Sequence, residues 1–205
     1  MSTASCRAKR RSLIPMTDIT EINTDRLILR QWKEDDYPVF AQMNADPVVM
    51  EFFPNVLSDE ESNLLANKFA SLIDDNGWGC WAVELKDTSV FIGFVGLHNT
   101  TYDIPGTPFV EVGWRLDQKC WGKGYAREAA EAAIDFAFDT LNLMNIFSFT
   151  STLNKRSIAL MNRLNMKDTE NNFKHPNISE NHPLSEHVLY KINKEEWNEL
   201  RKIKR

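Results

Sequence analysis

The spacing of apolar residues along the chain alternates between a period of two and a period of about 3.6 residues. Apolar runs with the spacing of strands occur at residues 26–31, 78–85, 89–98, 109–116, 145–150, 166–169 and 187–192. Helical spacing predicts two amphipathic helices between the first two strands, a long helix at 125–141, and helices after Asn154 and Asn193. This order predicts an α/β (α+β) fold, in which helices cover both faces of a mixed sheet.

Polar residues and glycines that suit helix ends punctuate this pattern. The segment Ser58–Glu61 has the form of a capping box, and the helix behind it is expected to end before Asn76-Gly77. Asn154 is expected to cap the next-to-last helix, and Asn165 stands where a left-handed residue would end it. Asn193 is expected to cap the terminal helix. The helix boundaries are therefore predicted independently of the apolar pattern.

Composition narrows the class of protein. The chain has 205 residues, of which 42% are hydrophobic and 26% charged, as expected for one globular domain. Its net charge of −5 argues against general nucleic-acid binding. Cys6, Cys80 and Cys120 have no paired spacing, which disfavours disulfides and zinc clusters and favours a reducing, cytoplasmic compartment. No apolar run is long enough to cross a membrane, so no membrane partner is expected.

Residues 1–20 are predicted to form a basic, disordered N-terminal tail, followed by one domain over residues 21–205. The first fifteen residues contain serines and basic residues without acids, and no secretory apolar segment follows. Three interpretations stay open for them: a disordered tail, an upstream start in which Met16 is the true first residue, or a targeting arm.

Two alternate glycines, Gly122 and Gly124, separate the strand at 109–116 from the helix at 125–141. Such a turn can hold an anion on the free N–H groups of the first helical turn, although a plain structural turn would look the same. A magnesium-binding P-loop needs Ser or Thr after the lysine, and Lys123 is followed by Gly124. A dinucleotide fingerprint needs a third glycine and a parallel βαβ unit. Diphosphate recognition without a metal remains.

Several motifs in a fixed order resemble the GNAT acyltransferase superfamily, and more narrowly the branch with the RimJ and RimL ribosomal-protein N-acetyltransferases. They are Thr24–Arg30, Glu111–Leu116, Trp121–Ala126 with Glu128-Ala129, Asn154-x-x-Ser157, and Leu164–Met166. The resemblance covers about residues 22–192. It implies a GNAT acyl-CoA N-acyltransferase fold, with a mixed, mostly antiparallel sheet of six to seven strands. It also implies acetyl transfer from acetyl-CoA to a primary amine in a ternary complex, without a covalent enzyme intermediate.

The resemblance assigns the acetyl-CoA site to the glycine loop and the strand before it. The pyrophosphate would rest on loop amides, and the pantetheine arm would pair with a strand that splays from the one at 145–150. A backbone N–H near Trp114 would polarise the thioester carbonyl. The implied donor-binding residues are Gly113, Trp114, Arg115, Leu116, Lys119, Gly122, Lys123, Gly124, Tyr125, Ala126, Arg127 and Asn154. Lys119 stands where the family usually has Gln or Arg.

Three residues are candidates for proton transfer. Glu111 interrupts an apolar strand beside the expected thioester and is the first candidate base. Its alternative is a structural carboxylate paired with an arginine such as Arg115. His98 is the second candidate base, or else a merely hydrogen-bonded histidine. The family's usual tyrosine is replaced by Met161, so Ser157 is the candidate proton donor to the leaving thiolate, unless it only supports the helix cap.

The acceptor is the part of the reaction that the sequence leaves open: a protein N-terminal amine or a small-molecule amine. Candidates for its pocket, each of which could also belong to the core or a lid, are Trp32, Phe52, Phe53, Trp78, Tyr102 and the segment 175–183. Histidines 175, 182 and 187 match no zinc spacing, so no metal is expected. The protein is expected to be a monomer or homodimer. Rival functions are a non-catalytic acyl-CoA-binding module, which the missing tyrosine favours, and a magnesium-dependent nucleotide phosphotransferase.

Overall fold

The computed structural model describes residues 18–204, and within them the chain forms nine strands and five α-helices. The strands are β1 (Ile22–Asn23), β2 (Leu27–Arg30), β3 (Cys80–Leu85), β4 (Phe91–Asn99), β5 (Val110–Leu116), β6 (Asn145–Ser151), β7 (Lys167–Asp168), β8 (Phe173–Lys174) and β9 (Glu186–Asn193). The helices are α1 (Asp36–Ala45), α2 (Asp59–Asn76), α3 (Tyr125–Asp139), α4 (Lys155–Arg163) and α5 (Lys194–Lys204).

All nine strands belong to one sheet, in the order β1-β2-β3-β4-β5-β6-β9-β7, with β8 also paired to β9. Every pair is antiparallel except β5 and β6, which confirms the mixed, mostly antiparallel sheet. The predicted number of six to seven strands was wrong. The two extra strands, β1 and β8, have two residues each. A pair of residues shows no period of two, so apolar spacing could not reveal them.

The predicted helix caps are confirmed. Ser58 and Glu61 exchange both capping-box hydrogen bonds, and Gly77 ends α2 in the left-handed conformation. Asn154 caps α4 by accepting a hydrogen bond from the Ser157 N–H. The helix predicted to end at residue 141 stops two residues earlier. There the N–H of Leu141 turns back to the Phe136 carbonyl and Asn142 has a left-handed φ of 53°. Asn165 also has a positive φ, and Asn193 accepts from the Glu196 N–H at the start of α5.

Helices cover both faces of the sheet, as predicted. On one face Trp81 packs edge-on against Phe136 of α3, with ring centroids 5.5 Å apart. On the other face Phe94 lies 4.8 Å from Phe69 of α2 and 6.0 Å from Phe40 of α1. Four alanines of α3 are fully buried, which allows this helix to lie close to the strands: Ala129, Ala130, Ala133 and Ala137. The sheet is thus the middle layer of a three-layer core.

The described part of the chain begins just before the first strand. Thr20 is already held in place, because its N–H donates to the Gly77 carbonyl and its carbonyl accepts from the Trp81 indole, both at 2.8 Å. The predictions made for residues 1–17 lie outside the described residues. In the range 18–204, none of the helices combines the length and apolar character that a membrane span requires.

Strand β5 is fully paired along one edge but hardly paired along the other, and this difference shapes the site. On one side β5 is paired with β4 along its whole length, from Val110 opposite Asn99 to Leu116 opposite Gly93. On the other side its only paired position with β6 is Glu111 opposite Phe147. Beyond Glu111 the two parallel strands therefore separate, and a gap opens toward the loop after β5.

Candidate active site

The loop after β5 is shaped to hold an anion. It begins with a 3-10 turn at Gln118–Cys120, which Asp117 caps by accepting from the Lys119 N–H at 2.8 Å. Gly122 and Gly124 follow with φ values of 73° and 83°, which side chains other than glycine rarely adopt. Among the described residues, the N–H groups of residues 122–127 have no hydrogen-bond acceptor. These groups lie at the positive end of α3, where a phosphate would be stabilised.

The same loop is fastened to the edge of the sheet through Glu128. Its carboxylate accepts from the Thr24 hydroxyl at 2.6 Å, from the Arg26 N–H at 2.8 Å and from the Arg26 side chain at 2.6 Å. Arg26 also donates to the Lys123 carbonyl at 3.0 Å. Burial alone would raise the pKa of Glu128, but these hydrogen bonds bring it below its usual range. The sequence matched Thr24 and Arg26 by resemblance only, and their contact with Glu128 was missed.

A second connection, here called the Arg156 bridge, consists of Glu51, Phe52, Trp121 and Arg156. The Arg156 guanidinium lies 4.5 Å from the ring centre of Trp121 in the loop and 5.2 Å from that of Phe52. It also pairs with Glu51 at 2.6 Å. The bridge joins the glycine loop, the start of α4 and the segment between α1 and α2. Sequence reasoning missed Arg156, because a basic residue in a first helical turn carries no distinctive signal.

Ser157 belongs to the first turn of α4 and lies on the far side of the gap from β5. Its Oγ accepts from the Trp114 indole at 3.3 Å and from the Asn154 amide at 3.1 Å. Asn154 also donates to Thr150 at the end of β6. A serine oxygen has two acceptor positions and one hydrogen to donate. Because both acceptor positions are used, the hydroxyl hydrogen is free to point to a third group.

Glu111 and His98 face each other across β4 and β5 at the narrow end of the gap. His98 Nδ1 and Glu111 Oε1 are 3.3 Å apart, although their alignment is not that of a hydrogen bond. Tyr102 lies nearby, and burial together with the charge of Glu111 raises its pKa. The alternative pairing of Glu111 with Arg115 is not found among the described residues, since Arg115 donates to Asn44 at 2.6 Å. Glu111 is therefore not held by a structural ion pair with an arginine.

Arg115 sits between aromatic rings on the same face of β5. Its guanidinium carbon is 4.2 Å from the ring centre of Phe53 and 5.6 Å from that of Phe94. Its Nε is closed off from solvent without a hydrogen-bond partner among residues 18–204. Burial lowers the pKa of Arg115 to about 10, so the side chain is still charged at neutral pH.

Two histidines belong to an aromatic cluster rather than to a metal site. The ring centre of His175 lies 5.0 Å from that of His187, in a tilted contact, and 4.7 Å from that of Tyr102, in an edge contact. Phe149 and Phe173 pack around the two histidines. Burial lowers the pKa of His187 to about 4, against a weaker opposite effect of its hydrogen bond to the Ser185 carbonyl. Across residues 18–204 no group of three or more His, Cys, Asp or Glu side chains is arranged as a metal site.

Of the remaining candidates for the acceptor pocket, some lie in the core and one lies at the surface. Trp32 is buried, donates to the Cys80 carbonyl at 2.9 Å and packs on Phe40, so it is a core residue. Trp78 packs against the core. Phe53 is 39% exposed and lies over Arg115, which places it at the site.

Three features fit coenzyme A. A Cβ built on Gly113 meets nothing within 4 Å, so the middle of β5 is open. The gap between β5 and β6 exposes the edge of β5 to an extended chain, and it leads to the free amides of residues 122–127. Except for Asn154, the donor-binding residues that the resemblance implies belong to β5, to this loop or to the first turn of α3. Their contacts with the donor stay a prediction.

Comparison with known proteins agrees with this geometry. The sequence model of the acetyltransferase (GNAT) domain family matches residues 26–167 of this chain. The uncharacterized N-acetyltransferase YnaD of Bacillus subtilis (strain 168) is 30% identical over 178 residues, covering 86% of this chain and 99% of that protein. The chain belongs to the GNAT acetyltransferase family. As a family member it is an acetyltransferase enzyme, and acetyl-CoA is the donor that such enzymes use.

Solved GNAT structures show the same fold. An acetyltransferase of the GNAT family from Bacillus anthracis superposes with a TM-score of 0.72 at 25% identity, covering 86% of this chain and 99% of that one. The spermidine N-acetyltransferase from Vibrio cholerae, solved with CoA and spermine, gives a TM-score of 0.65 at 23% identity, covering 84% and 98%. At this identity the second likeness establishes the fold alone.

Proposed function

We propose that this GNAT enzyme transfers the acetyl group of acetyl-CoA directly to a primary amine in a ternary complex. The observation that carries the proposal is the gap beyond Glu111, which has a carboxylate at its narrow end and a poised hydroxyl, Ser157, on its far side. The acceptor is a protein N-terminal amine or a small-molecule amine. The motifs at Thr24–Arg30 and Trp121–Ala126 support a place in the RimJ/RimL-like branch.

Amide formation requires the acceptor ammonium to lose two protons. We assign the first to Glu111, directly or through a water, with His98 as the neighbouring alternative. The neutral nitrogen then attacks the thioester carbonyl, so that a C–N bond forms while the C–S bond breaks. The second proton ends on the coenzyme A thiol. The products are an acetamide, free coenzyme A and one released proton.

Other groups hold and polarise the reactants. The free amides of residues 122–127 would bind the pyrophosphate, and a backbone N–H near Trp114 would polarise the thioester carbonyl. The Ser157 hydroxyl would donate its free hydrogen to the departing sulfur, since Trp114 and Asn154 already occupy its acceptor positions. Positioning of this kind supplies much of the acceleration in a direct transfer.

The experiment is an acetyl-transfer assay with a panel of peptide N-termini and polyamines. The reaction is monitored through the release of free thiol, and the product is identified by its mass. We expect thiol release that depends on the amine, with one acetyl group added to the acceptor. Tight coenzyme A binding with no transfer across the panel would contradict this assignment. That result would favour the second candidate, a non-catalytic acyl-CoA-binding module, which the fully buried Met161 in place of a tyrosine supports.

A further inference from the structure

Arg115 carries a charge that the protein itself does not neutralise. Among residues 18–204 no carboxylate forms an ion pair with its guanidinium, and its one hydrogen bond goes to the neutral amide oxygen of Asn44 at 2.6 Å. Its Nε has no partner. Removing a cation from water without a counter-charge costs several kcal/mol, so such an arrangement needs a reason other than stability.

Arg30, which is buried, shows how this chain compensates the charge of a structural arginine. Arg30 donates to Asp36 at 2.7 Å and to Glu84 at 2.6 Å, so two carboxylates compensate its charge. Hydrogen bonds to these carboxylates and their charges keep the pKa of Arg30 raised, against the lowering effect of its burial. The pKa of Arg115, in contrast, is lowered by burial with almost no opposing effect. This contrast indicates that Arg115 binds an anion from outside the fold.

The position of Arg115 shows where that anion would come from. Arg115, Gly113 and Glu111 alternate along β5 opposite Phe94, Gly96 and His98, so all three face the same side of the sheet. Gly113 leaves the space between the two charged residues open. Four residue steps, from Glu111 to Arg115, span about 13 Å along β5. The face therefore has a negative pole at Glu111 and a positive pole at Arg115, with room between.

We propose that Arg115 recognises a carboxylate of the acceptor, and that the enzyme prefers primary amines that also carry a carboxylate. This proposal rests on the proposed function and narrows its substrate class. The ammonium is drawn to Glu111 and the carboxylate to Arg115, which orients the amine in the gap. Asn44, itself bonded to Ser62 at 2.8 Å, is the positioning residue that fixes the guanidinium.

The test uses acceptor pairs that differ only in charge: β-alanine, γ-aminobutyrate and ε-aminohexanoate, each against its carboxamide, and a peptide with Asp or Asn in its second position. For the acceptor pair that the wild type uses best, we expect kcat/KM to be about tenfold higher for the acid than for the amide. A factor of this size corresponds to the free energy of one hydrogen bond to a charged group. Arg115→Gln should remove the preference by lowering the value for the acid alone. Equal use of acid and amide by wild type would overturn the proposal.

Asn44→Asp is the variant that keeps the arginine but neutralises it, because it would place a carboxylate at the present hydrogen-bond distance. We expect it to lose the preference as Arg115→Gln does, whereas Arg115→Lys should keep part of it. Thermal melting shows that each variant is folded. If Arg115→Gln does not fold, Asn44→Asp and Arg115→Lys still test whether the preference for the acid depends on the charge of Arg115. Losses that are equal for acid and amide would mean that Arg115 only packs against Phe53 and Phe94.

Two binding measurements separate this proposal from the proposed function and from the donor site. Calorimetry with the N-acetylated acid and amide on coenzyme A-loaded protein needs no turnover, and the acid should bind about tenfold more tightly. If no amine is acetylated but this difference depends on Arg115, the proposed function fails and the inference stands. The resemblance places Arg115 in the donor site only through the backbone of β5, which Arg115→Gln keeps, so acetyl-CoA affinity should be unchanged in this variant. A loss of affinity would assign the guanidinium to the donor and overturn the inference.

Discussion

Arg26, just before β2, and Glu128 of α3 form an ion pair in which Nε and Nη2 of the arginine both lie 2.6 Å from Oε2 of the glutamate. The two residues are 102 positions apart in the sequence, yet they fix the glycine loop to the sheet. Arg26 reaches beyond the pair to the Lys123 carbonyl, in the middle of the loop. The geometry of the anion cradle therefore depends on a contact outside the loop itself.

Loosening this contact should weaken donor binding. We expect Glu128→Gln to reduce acetyl-CoA affinity by about tenfold, because a hydrogen bond to a charged group is lost. Calorimetry with acetyl-CoA measures this change, and Glu199→Gln is the control, since Glu199 forms only an exposed pair with Lys202. The lowered pKa of Glu128 means that its contribution to stability persists above the ordinary glutamate range and is lost as pH falls through the lowered value. Equal affinities for both variants would contradict the role of Glu128.

Filling the glycine loop should abolish coenzyme binding. Gly124 is exposed with φ of 83°, so Gly124→Trp would occupy the space beside the free amides and also press on Arg26, which is 3.3 Å from a Cβ built there. Gly106 gives a matched control, being exposed with φ of 88° in a different loop. Gly106→Trp carries the same backbone strain and should leave acetyl-CoA affinity unchanged. Normal acetyl-CoA binding by Gly124→Trp would exclude this loop as the donor site.

Removing the Ser157 hydroxyl should slow the chemical step. We expect Ser157→Ala to lower kcat by about ten- to a hundredfold, in the lower range for proton donors, with little change in acetyl-CoA affinity. Ser157→Thr keeps a hydroxyl and should retain more activity. Trp114→Phe removes one of the two donors to Ser157 and should have a smaller effect of the same kind. If kcat is unchanged in Ser157→Ala, the serine only supports the helix cap.

Neutralising Glu111 should change both the reaction and a neighbouring tyrosine. We expect Glu111→Gln to lower kcat by about a hundredfold and to depress the rise of the rate toward alkaline pH. The same substitution should lower the pKa of Tyr102 toward its ordinary value, because burial would then be the main remaining cause of its elevation. An ultraviolet titration of tyrosinate, with Tyr102→Phe as reference, reports that shift. An unaltered pH profile would direct attention to His98 or to a water relay.

Burial of His187 should make the fold sensitive to acid. Its pKa of about 4 lies below the ordinary value near 6.5, so the unfolded chain binds a proton first as pH falls. This residue therefore lowers the free energy of unfolding progressively between these two values, by about 3 kcal/mol in total. His187→Phe, which suits its neighbours Phe149 and Phe173, should flatten the pH dependence of urea unfolding in this range. Parallel curves for both proteins would show that His187 is accessible to protons.

Sequence reasoning succeeded where one local rule determines the structure. Ser58, Gly77 and Asn154 each satisfy a backbone group a few residues away, so their roles could be predicted from spacing alone. The strands β1 and β8 could not, because each has only two residues, too few to show a period of two.

The site shows the same division. The free amides after Gly122 follow from a local turn, whereas the contacts of Ser157 with Trp114 and of Arg115 with Asn44 join separate elements. No periodicity reports such contacts, since each depends on how the elements pack. The identity of the residues was predicted at these positions, but their partners were not.

The Arg156 bridge implies that the two substrates tighten each other's binding. It joins Trp121 of the donor loop to Phe52 of the segment that leads to Phe53, which lies over Arg115. If acetyl-CoA orders the loop, this chain of contacts orders the acceptor side as well, and linkage requires the effect to be mutual. We expect each substrate to raise the affinity for the other by the same factor, as measured by initial-rate kinetics over both substrate concentrations. In Arg156→Ala this mutual effect should weaken.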